Sequence, residues 1–181
     1  VDCREITGTD FSKPWQMFKY MLLKARGCFN LAEEWAPHAI ATAESALDEP
    51  AETNSAPALN CASEVARRMG ATDEQQTMVA GWAGGMGLHG YGCGALATAI
   101  WMNSLEWMDA HPGKSPYNNP AAKATLKAFE EATDGELRCQ KLCGKHFDNL
   151  EDHARFIQEG GCTKLMETLE ATRLETAYTD V

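Results

Sequence analysis

The sequence predicts an all-α protein, a compact multi-helix domain of about seven to nine helices with a central buried helix. Apolar residues recur at helical spacing in segments bounded by capping residues and by Gly or Pro. Strand signals are nearly absent, because no segment shows sustained alternation of β-branched residues. Both observations favour helices packed on helices.

Two helices are predicted in the N-terminal part. The first begins at Ser12, just before a proline, and stops at Gly27. The second begins near Asn30 and ends before Pro50. The polar residues 51–58 that follow are typical of a loop or linker.

This linker predicts the domain organisation. Residues 1–58 are an N-terminal helical extension, and residues 59–181 are a cysteine-bearing domain. We expect the two to form one compact unit, because the 181 residues suffice for a single domain with a substantial core.

The cysteine-bearing domain opens with strong capping signals. Asn60 caps a helix over 61–69, which Gly70 closes. Thr72 and Gln75 form a capping box for the next helix. A glycine-dense passage then leads into the central helix, predicted over 93–110.

Further helices are predicted to the end of the chain. Asn118-Asn119-Pro120 opens one, and a short helix covers 137–143. Asp148 with Glu151 caps another, and the last runs from Cys162 or Thr163 to about Tyr178.

Charge limits the classes of partner. Lys plus Arg is 16 and Asp plus Glu is 26, so the formal net charge is −10. A nucleic-acid partner is not expected, because phosphate contacts require clustered Lys and Arg. Membrane insertion is not expected either, since no apolar run is long enough. An acidic surface suits a basic electron-transfer partner.

Cysteine is abundant for a chain of this size. The count of seven is odd, so the cysteines cannot all pair with one another. Cys61, Cys93 and Cys162 fall at predicted helix starts, where unpaired N–H groups and the helix dipole lower a thiol's pKa. Cys139 lies inside a short helix without this support. Any one of them could be a packing residue, but together they predict one redox-active or metal-binding thiol site.

The glycines around Cys93 belong to the same prediction. They lack side-chain bulk, so they let the backbone, and with it a cofactor or a second thiol, approach Cys93 closely. The candidate cofactor-binding glycines are Gly85, Gly87, Gly92 and Gly94.

These residues resemble the redox-active protein family named for its C_GCAxxG_C_C cysteine pattern. The resemblance begins at Asn60-Cys61-Ala62 and continues through Gly84-Gly85-Met86-Gly87 to Cys93-Gly94-Ala95. It resumes at Cys139-x-x-Leu142-x-Gly144 and ends at Cys162.

One position departs from the pattern, because Thr98 stands where the family's CGAxxG glycine would fall. Cys3, Cys28 and Cys143 lie outside the pattern, and their roles stay open. The resemblance implies a redox role linked to oxidoreductase systems, with a redox partner protein such as an oxidoreductase or a cytochrome. A homodimer is a further possible assembly.

Our leading hypothesis is electron transfer by an iron–sulfur cluster, 2Fe–2S or 4Fe–4S. Its metal ligands would be Cys61, Cys93, Cys139 and Cys162, because four cysteines are the usual ligand set. A structural zinc suits the same four sulfurs.

The alternative is a thiol–disulfide oxidoreductase. Cys93 would be the catalytic nucleophile and Cys61 the resolving thiol. The absence of a close Cys pair among the four disfavours it mildly. A structural domain with two ordinary disulfides is the third possibility.

Location follows from two weaker signals. A Cys3–Cys28 disulfide would require an oxidising compartment, and the first residue is Val rather than Met. Both favour the bacterial periplasm, with the cytoplasm as the alternative.

Overall fold

A computed structural model describes residues 3–11, 13–48, 59–114 and 119–176 of the chain. Within these ranges the protein contains ten α-helices, eight of them with seven or more residues, and no strands. The predicted all-α fold class is therefore confirmed.

The chain divides into two compact units, Val1–Asn54 and Ser55–Val181. The predicted linker, residues 51–58, lies outside the described residues. The expectation of a single compact unit stays a prediction. Among the residues described, none of the helices combines the length and the apolar character that a membrane crossing requires.

The first unit contains helices α1 (Cys3–Thr7), α2 (Pro14–Leu23) and α3 (Ala25–Asp48). Helix α2 ends at Leu23 with Lys24 as its C-cap, and α3 continues through the predicted stop at Gly27 and the predicted start at Asn30. Both of those boundaries are wrong, because a single glycine costs a helix only about 1 kcal/mol. The predicted start at Ser12 lies outside the described residues.

The second unit holds the remaining helices. They are α4 (Cys61–Arg68), α5 (Asp73–Val79), α6 (Gly94–Ala110), α7 (Pro120–Thr133), α8 (Cys139–Cys143), α9 (Leu150–Gln158) and α10 (Thr163–Thr176). A 3₁₀ turn over Ala80–Trp82 links α5 to the glycine-rich segment that precedes α6.

The predicted caps of α4 and α5 are confirmed. The Asn60 side chain accepts a hydrogen bond from the Ser63 amide, and Thr72 and Gln75 form the full capping box. The cap of α9 is Asn149 rather than Asp148, because the Asn149 side chain accepts from the Asp152 amide at 2.8 Å.

Helix α6 is the centre of this unit, as the sequence predicts. It contacts α4, α7 and α10, and its first turns are buried. The core around it is formed by apolar side chains from these helices, including Val65, Met69, Ala99, Phe129 and Leu169. The N-terminal end of α6 therefore lies deep in the unit, and with it Cys93.

One buried hydrogen-bonded group ties three of these helices together. The Asn103 amide on α6 donates to Thr125 Oγ1 on α7 at 2.7 Å and to Thr172 Oγ1 on α10 at 3.0 Å. All three residues are almost fully buried. These bonds fix the angles at which α7 and α10 meet the central helix.

Candidate thiol site

The structure confirms that three cysteines stand at helix starts. Cys61 is the first residue of α4, and Cys93 is the N-cap of α6. Cys162 immediately precedes α10. Cys139, expected inside a helix, is instead the first residue of α8, so that interpretation is wrong.

The reason for the later start of α8 is a pairing with the glycine-rich segment. The Cys93 amide donates to the Leu137 carbonyl at 2.9 Å, and Gly92 and Arg138 form an isolated antiparallel bridge. Leu137 and Arg138 are therefore extended rather than helical. This pairing sets Cys93 beside Cys139.

The predicted cysteines converge on one small enclosed cavity of about 10 Å³. Its walls are formed by cysteine thiols, apolar side chains and one histidine. The lining residues are Cys61, Cys93, Ala95, Cys139, Leu142, Cys143, His153, Cys162 and Leu165. Five thiols thus face one volume, one more than the sequence analysis proposed.

The fifth thiol, Cys143, has the closest sulfur neighbours. Its Sγ lies 3.7 Å from Cys139 Sγ and 3.6 Å from Cys162 Sγ. The sequence contained a signal for the first contact, since residues i and i+4 lie on one face of a helix. The contact with Cys162 depends on how α8 and α10 pack.

His153 is the second site residue that sequence reasoning missed. It is 1% exposed, and its Nδ1 has no hydrogen-bond partner among the described residues. Burial lowers the pKa of this imidazole, so the neutral form is favoured. His89, beside Cys93 in sequence, is exposed, with Nδ1 3.1 Å from the Gly87 carbonyl oxygen.

The four candidate glycines have different environments. Gly85 is buried at φ +81°, and a Cβ there would lie 2.8 Å from Cys139 Cβ. A Cβ at Gly94 would collide with the Trp82 carbonyl, whereas Gly87 and Gly92 face open space. Gly85 and Gly94 allow close backbone approach, although none of the four is among the residues that line the cavity. Their binding of a cofactor stays a prediction.

Thr98 occupies the position of the family glycine without disrupting α6. Its side chain is fully buried, and Oγ1 donates to the Gly94 carbonyl at 2.9 Å. The extra hydroxyl is therefore satisfied within the helix.

Burial, rather than the helix dipole, sets the pKa of the two innermost thiols, Cys61 and Cys93. Desolvation raises the pKa of both Cys61 and Cys93 to about 12, against smaller lowering effects of backbone N–H groups. The expected lowering of their pKa is wrong for the protein without a bound metal. These two thiols are poor nucleophiles, which argues against Cys93 as an attacking group.

The outer thiols behave differently. A hydrogen bond from Cys143 lowers the pKa of Cys139 and of Cys162, in both cases against the effect of burial. The same two sulfur contacts raise the pKa of Cys143, so among these three thiols Cys143 holds its proton most tightly. The direction of these shifts favours the thiolate form at Cys139 and Cys162 more than at Cys61 and Cys93.

Cys162 also has an unusual backbone. Its φ is +60°, in the left-handed region that non-glycine residues seldom adopt. It lines both the thiol cavity and an open pocket of about 700 Å³ on the outside of the unit.

The six cysteines whose side chains the structure describes are free thiols. Cys28, Cys61, Cys93, Cys139, Cys143 and Cys162 are unpaired in the structure. Within the described ranges, no group of three or more His, Cys, Asp or Glu side chains is placed to hold a metal ion. The predicted Cys3–Cys28 disulfide lies outside the described residues, because the side chain of Cys3 does.

Neither a search of curated proteins nor a search of solved structures finds a match for this chain. A comparison with protein families matches residues 58–174 to the family described as "Putative redox-active protein (C_GCAxxG_C_C)". The match covers more than half of the chain and includes every cysteine that lines the cavity. The chain therefore belongs to the C_GCAxxG_C_C family of redox-active proteins.

Proposed function

We propose that the protein is an electron carrier in which Cys61, Cys93, Cys139 and Cys162 bind a small iron–sulfur cluster. The supporting observation is the convergence of these four cysteines, each at the start of a different helix, on one enclosed cavity. Buried cysteines that serve only for packing have no reason to gather around one volume. Four cysteine thiolates are the usual ligands of such clusters.

The chemistry of the surroundings suits an anionic cluster. Ala95, Leu142 and Leu165 supply apolar walls that exclude water, which is one means of tuning a reduction potential. The amide groups at the start of α4, α6 and α10 lie near three of the sulfurs and favour negative charge. The Nδ1 of the cavity residue His153 is a polar atom to which no other described residue offers a hydrogen bond.

Size favours the smaller cluster. A volume of about 10 Å³ is close to the minimum that holds one water molecule. Either cluster requires the sulfurs to move outward, and 2Fe–2S, the smaller of the two, requires the smaller movement, so we prefer it to 4Fe–4S. When bound, the cluster would supply one-electron transfer, while the protein would hold it and exclude water.

A single tetrahedral zinc ion is the second candidate. Two sulfurs bound to one such ion at about 2.3 Å lie about 3.8 Å apart. The Sγ–Sγ distances of 3.7 Å from Cys143 to Cys139 and 3.6 Å from Cys143 to Cys162 are close to that value, so in this candidate Cys143 would join Cys139 and Cys162 as a ligand. Zinc does not change oxidation state, so this candidate makes the site structural.

The partner and the location remain part of the proposal. A net charge of −10 suits a redox partner with a basic docking face, such as an oxidoreductase or a cytochrome. We retain the bacterial periplasm as the proposed location and a homodimer as a possible assembly.

The test is metal analysis of the full chain purified without oxygen, before and after reconstitution with ferrous iron and sulfide. We expect about two iron atoms and two sulfides per chain, with visible absorption that dithionite bleaches. One zinc per chain with no iron would support the second candidate. A colourless, metal-free protein after reconstitution would overturn both.

Variants assign the ligands. Cys61→Ser and Cys93→Ser should each lose the bound iron and the visible absorption. Cys28→Ser is the matched control, because Cys28 is exposed and belongs to the other unit. If Cys61→Ser and Cys93→Ser both keep full iron content, the proposed ligand set is wrong.

A further inference from the structure

Cys162 separates the thiol cavity from the outside. Together with Leu142 and Leu165, it lines both the enclosed cavity and the open pocket of about 700 Å³. Cys61, Cys93 and Cys139 line only the enclosed cavity and are at most 8% exposed. Cys143 and Cys162 are both half-buried, but of these two only Cys162 lines the open pocket, so a molecule bound in that pocket meets Cys162 first.

The sulfur nearest to Cys162 belongs to Cys143, at 3.6 Å. Cys143 lies at 3.7 Å from Cys139 as well, so distance alone does not select its partner. The helix does. Cys139 and Cys143 are four residues apart in α8, where Cβ atoms lie about 5–6 Å apart. A disulfide needs Cβ atoms about 3.5–4.5 Å apart, so bridging that pair would distort α8.

No such helical constraint applies to Cys143 and Cys162. Cys143 is the last residue of α8, and Gly144 after it is in the left-handed region. Cys162 follows Gly160 and Gly161 at the end of the turn before α10. The two thiols are thus joined through turns that can adjust without breaking a helix.

We propose that Cys143 and Cys162 are a redox-responsive dithiol that exchanges with low-molecular-weight disulfides entering the open pocket. The Cys162 thiolate attacks one sulfur of the small disulfide, forms a mixed disulfide and releases one thiolate. Cys143 then transfers its proton to the small thiolate released in the first step and attacks Cys162 Sγ as a thiolate, and the second small thiolate leaves. In total, two cysteine thiols are oxidised to one disulfide, and one small disulfide is reduced to two thiols.

The pocket is suited to a small peptide-like disulfide. Its volume of about 700 Å³ falls in the range of sites for small molecules. Lys164 and Glu167 line it and offer one charge of each sign, and Thr163 and Thr168 offer hydroxyl groups. A glutathione-type disulfide carries amide, carboxylate and ammonium groups that such side chains can bind.

Formation of this disulfide would switch off metal binding at the four-cysteine site. Once Cys162 is in a disulfide with Cys143, its sulfur is no longer available as a ligand, and metal loading of the four-cysteine site is blocked. The dithiol chemistry itself does not depend on the proposed function, because it takes place in the metal-free protein.

The experiment uses the full chain in a Cys3→Ser/Cys28→Ser background, which leaves only the five cavity thiols. Reduced, metal-free protein is treated with oxidised glutathione, quenched with acid, alkylated and mapped by mass spectrometry. We expect the loss of two alkylatable thiols and a Cys143–Cys162 crosslinked peptide as the first internal disulfide. A first link between Cys139 and Cys143 or between Cys61 and Cys93, or unreacted Cys162, would overturn the proposal.

The Cys143→Ser variant isolates the first step. Without the resolving thiol, it should accumulate at least about tenfold more glutathione mixed disulfide on Cys162 than the parent. Cys139→Ser is the matched control, since it removes the other neighbour of Cys143 and should leave the Cys143–Cys162 link unchanged. Should Cys143→Ser fail to fold by circular dichroism, the disulfide map of the parent decides the matter alone.

Discussion

The backbone amide of Cys139 donates a hydrogen bond of 2.7 Å to the carbonyl oxygen of Tyr91. The next amide, of Gln140, donates to the Gly90 carbonyl at 3.0 Å. Together with the bond from Cys93 to Leu137, these contacts fasten the start of α8 to the segment that leads into α6. Two of the proposed ligands are therefore held together by the main chain.

Gly85→Ala should damage this attachment. A Cβ at Gly85 would lie 2.7 Å from the Tyr91 amide nitrogen and 2.8 Å from Cys139 Cβ. Gly87→Ala is the control, because Gly87 also has a positive φ but faces open space. We expect Gly85→Ala to lower the free energy of unfolding by about 1–3 kcal/mol more than Gly87→Ala, measured by urea denaturation. Equal losses would mean that only the backbone conformation matters.

Gly94→Ala should be more disruptive than Gly92→Ala. The added Cβ at Gly94 would collide with the Trp82 carbonyl, and the backbone there has little room to yield. Gly92 is two residues away, and a Cβ there meets no atom within 4 Å. We expect a loss of about 3 kcal/mol or more for Gly94→Ala and less than about 1 kcal/mol for Gly92→Ala. Indistinguishable melting temperatures would contradict the packing described for the start of α6.

Thr172→Val tests the buried hydrogen bonds that join α6 to α10. Valine keeps the shape of threonine but removes the oxygen that accepts from Asn103. The loss should be about 1 kcal/mol in the free energy of unfolding. Thr168→Val, one turn earlier on α10, removes only a bond to the Lys164 carbonyl of the same helix, and we expect a change within about 0.5 kcal/mol. A larger effect at Thr168 would overturn this assignment.

Acid should weaken the protein partly through Glu64. Its carboxylate accepts hydrogen bonds of 2.8 Å from Arg67 and Arg68, and the bond from Arg67 is the main cause of its lowered pKa. A carboxyl group with a lowered pKa stabilises the folded state above its ordinary value of 4.5. That stabilisation is lost as the pH falls through the folded-state pKa.

Glu64→Gln should therefore be less stable than the parent at pH 7, by about 0.5–1 kcal/mol. The difference in stability should shrink as the pH falls below 4.5, because the Glu64 carboxyl of the parent then also becomes neutral. Chemical denaturation at several pH values measures it, with the exposed Glu130→Gln as a charge control. A difference that stays constant down to acid pH would mean that the ion pairs do not stabilise the fold.

Local signals predicted the elements of the second unit well. Asn60, the Thr72–Gln75 box and Gly70 each act through neighbouring backbone groups, so their effect is visible in the sequence. The start of α8 was not predictable in this way. Leu137 and Arg138 are helix formers, but they pair with a segment about forty-five residues earlier, and tertiary contacts override propensity there.

Local signals also predicted part of the thiol site. The helix positions of Cys61, Cys93 and Cys162 follow from local caps and glycines. The roles of Cys143 and His153 do not, because they depend on how α8 and α9 pack against the cavity. Burial likewise decides the pKa of Cys61 and Cys93, and burial is a property of the complete fold.

The order of the cysteines along the chain has a consequence for biosynthesis. Cys61 emerges from the ribosome long before Cys162, with five helices synthesised between α4 and α10. Because one wall of the cavity comes from each of these distant segments, no partial chain offers the complete set of sulfurs. Domains generally fold as units during synthesis, so the proposed metal would be captured only after α10 has been made. A nascent or truncated chain would lack the complete set of sulfurs that the proposed cluster requires.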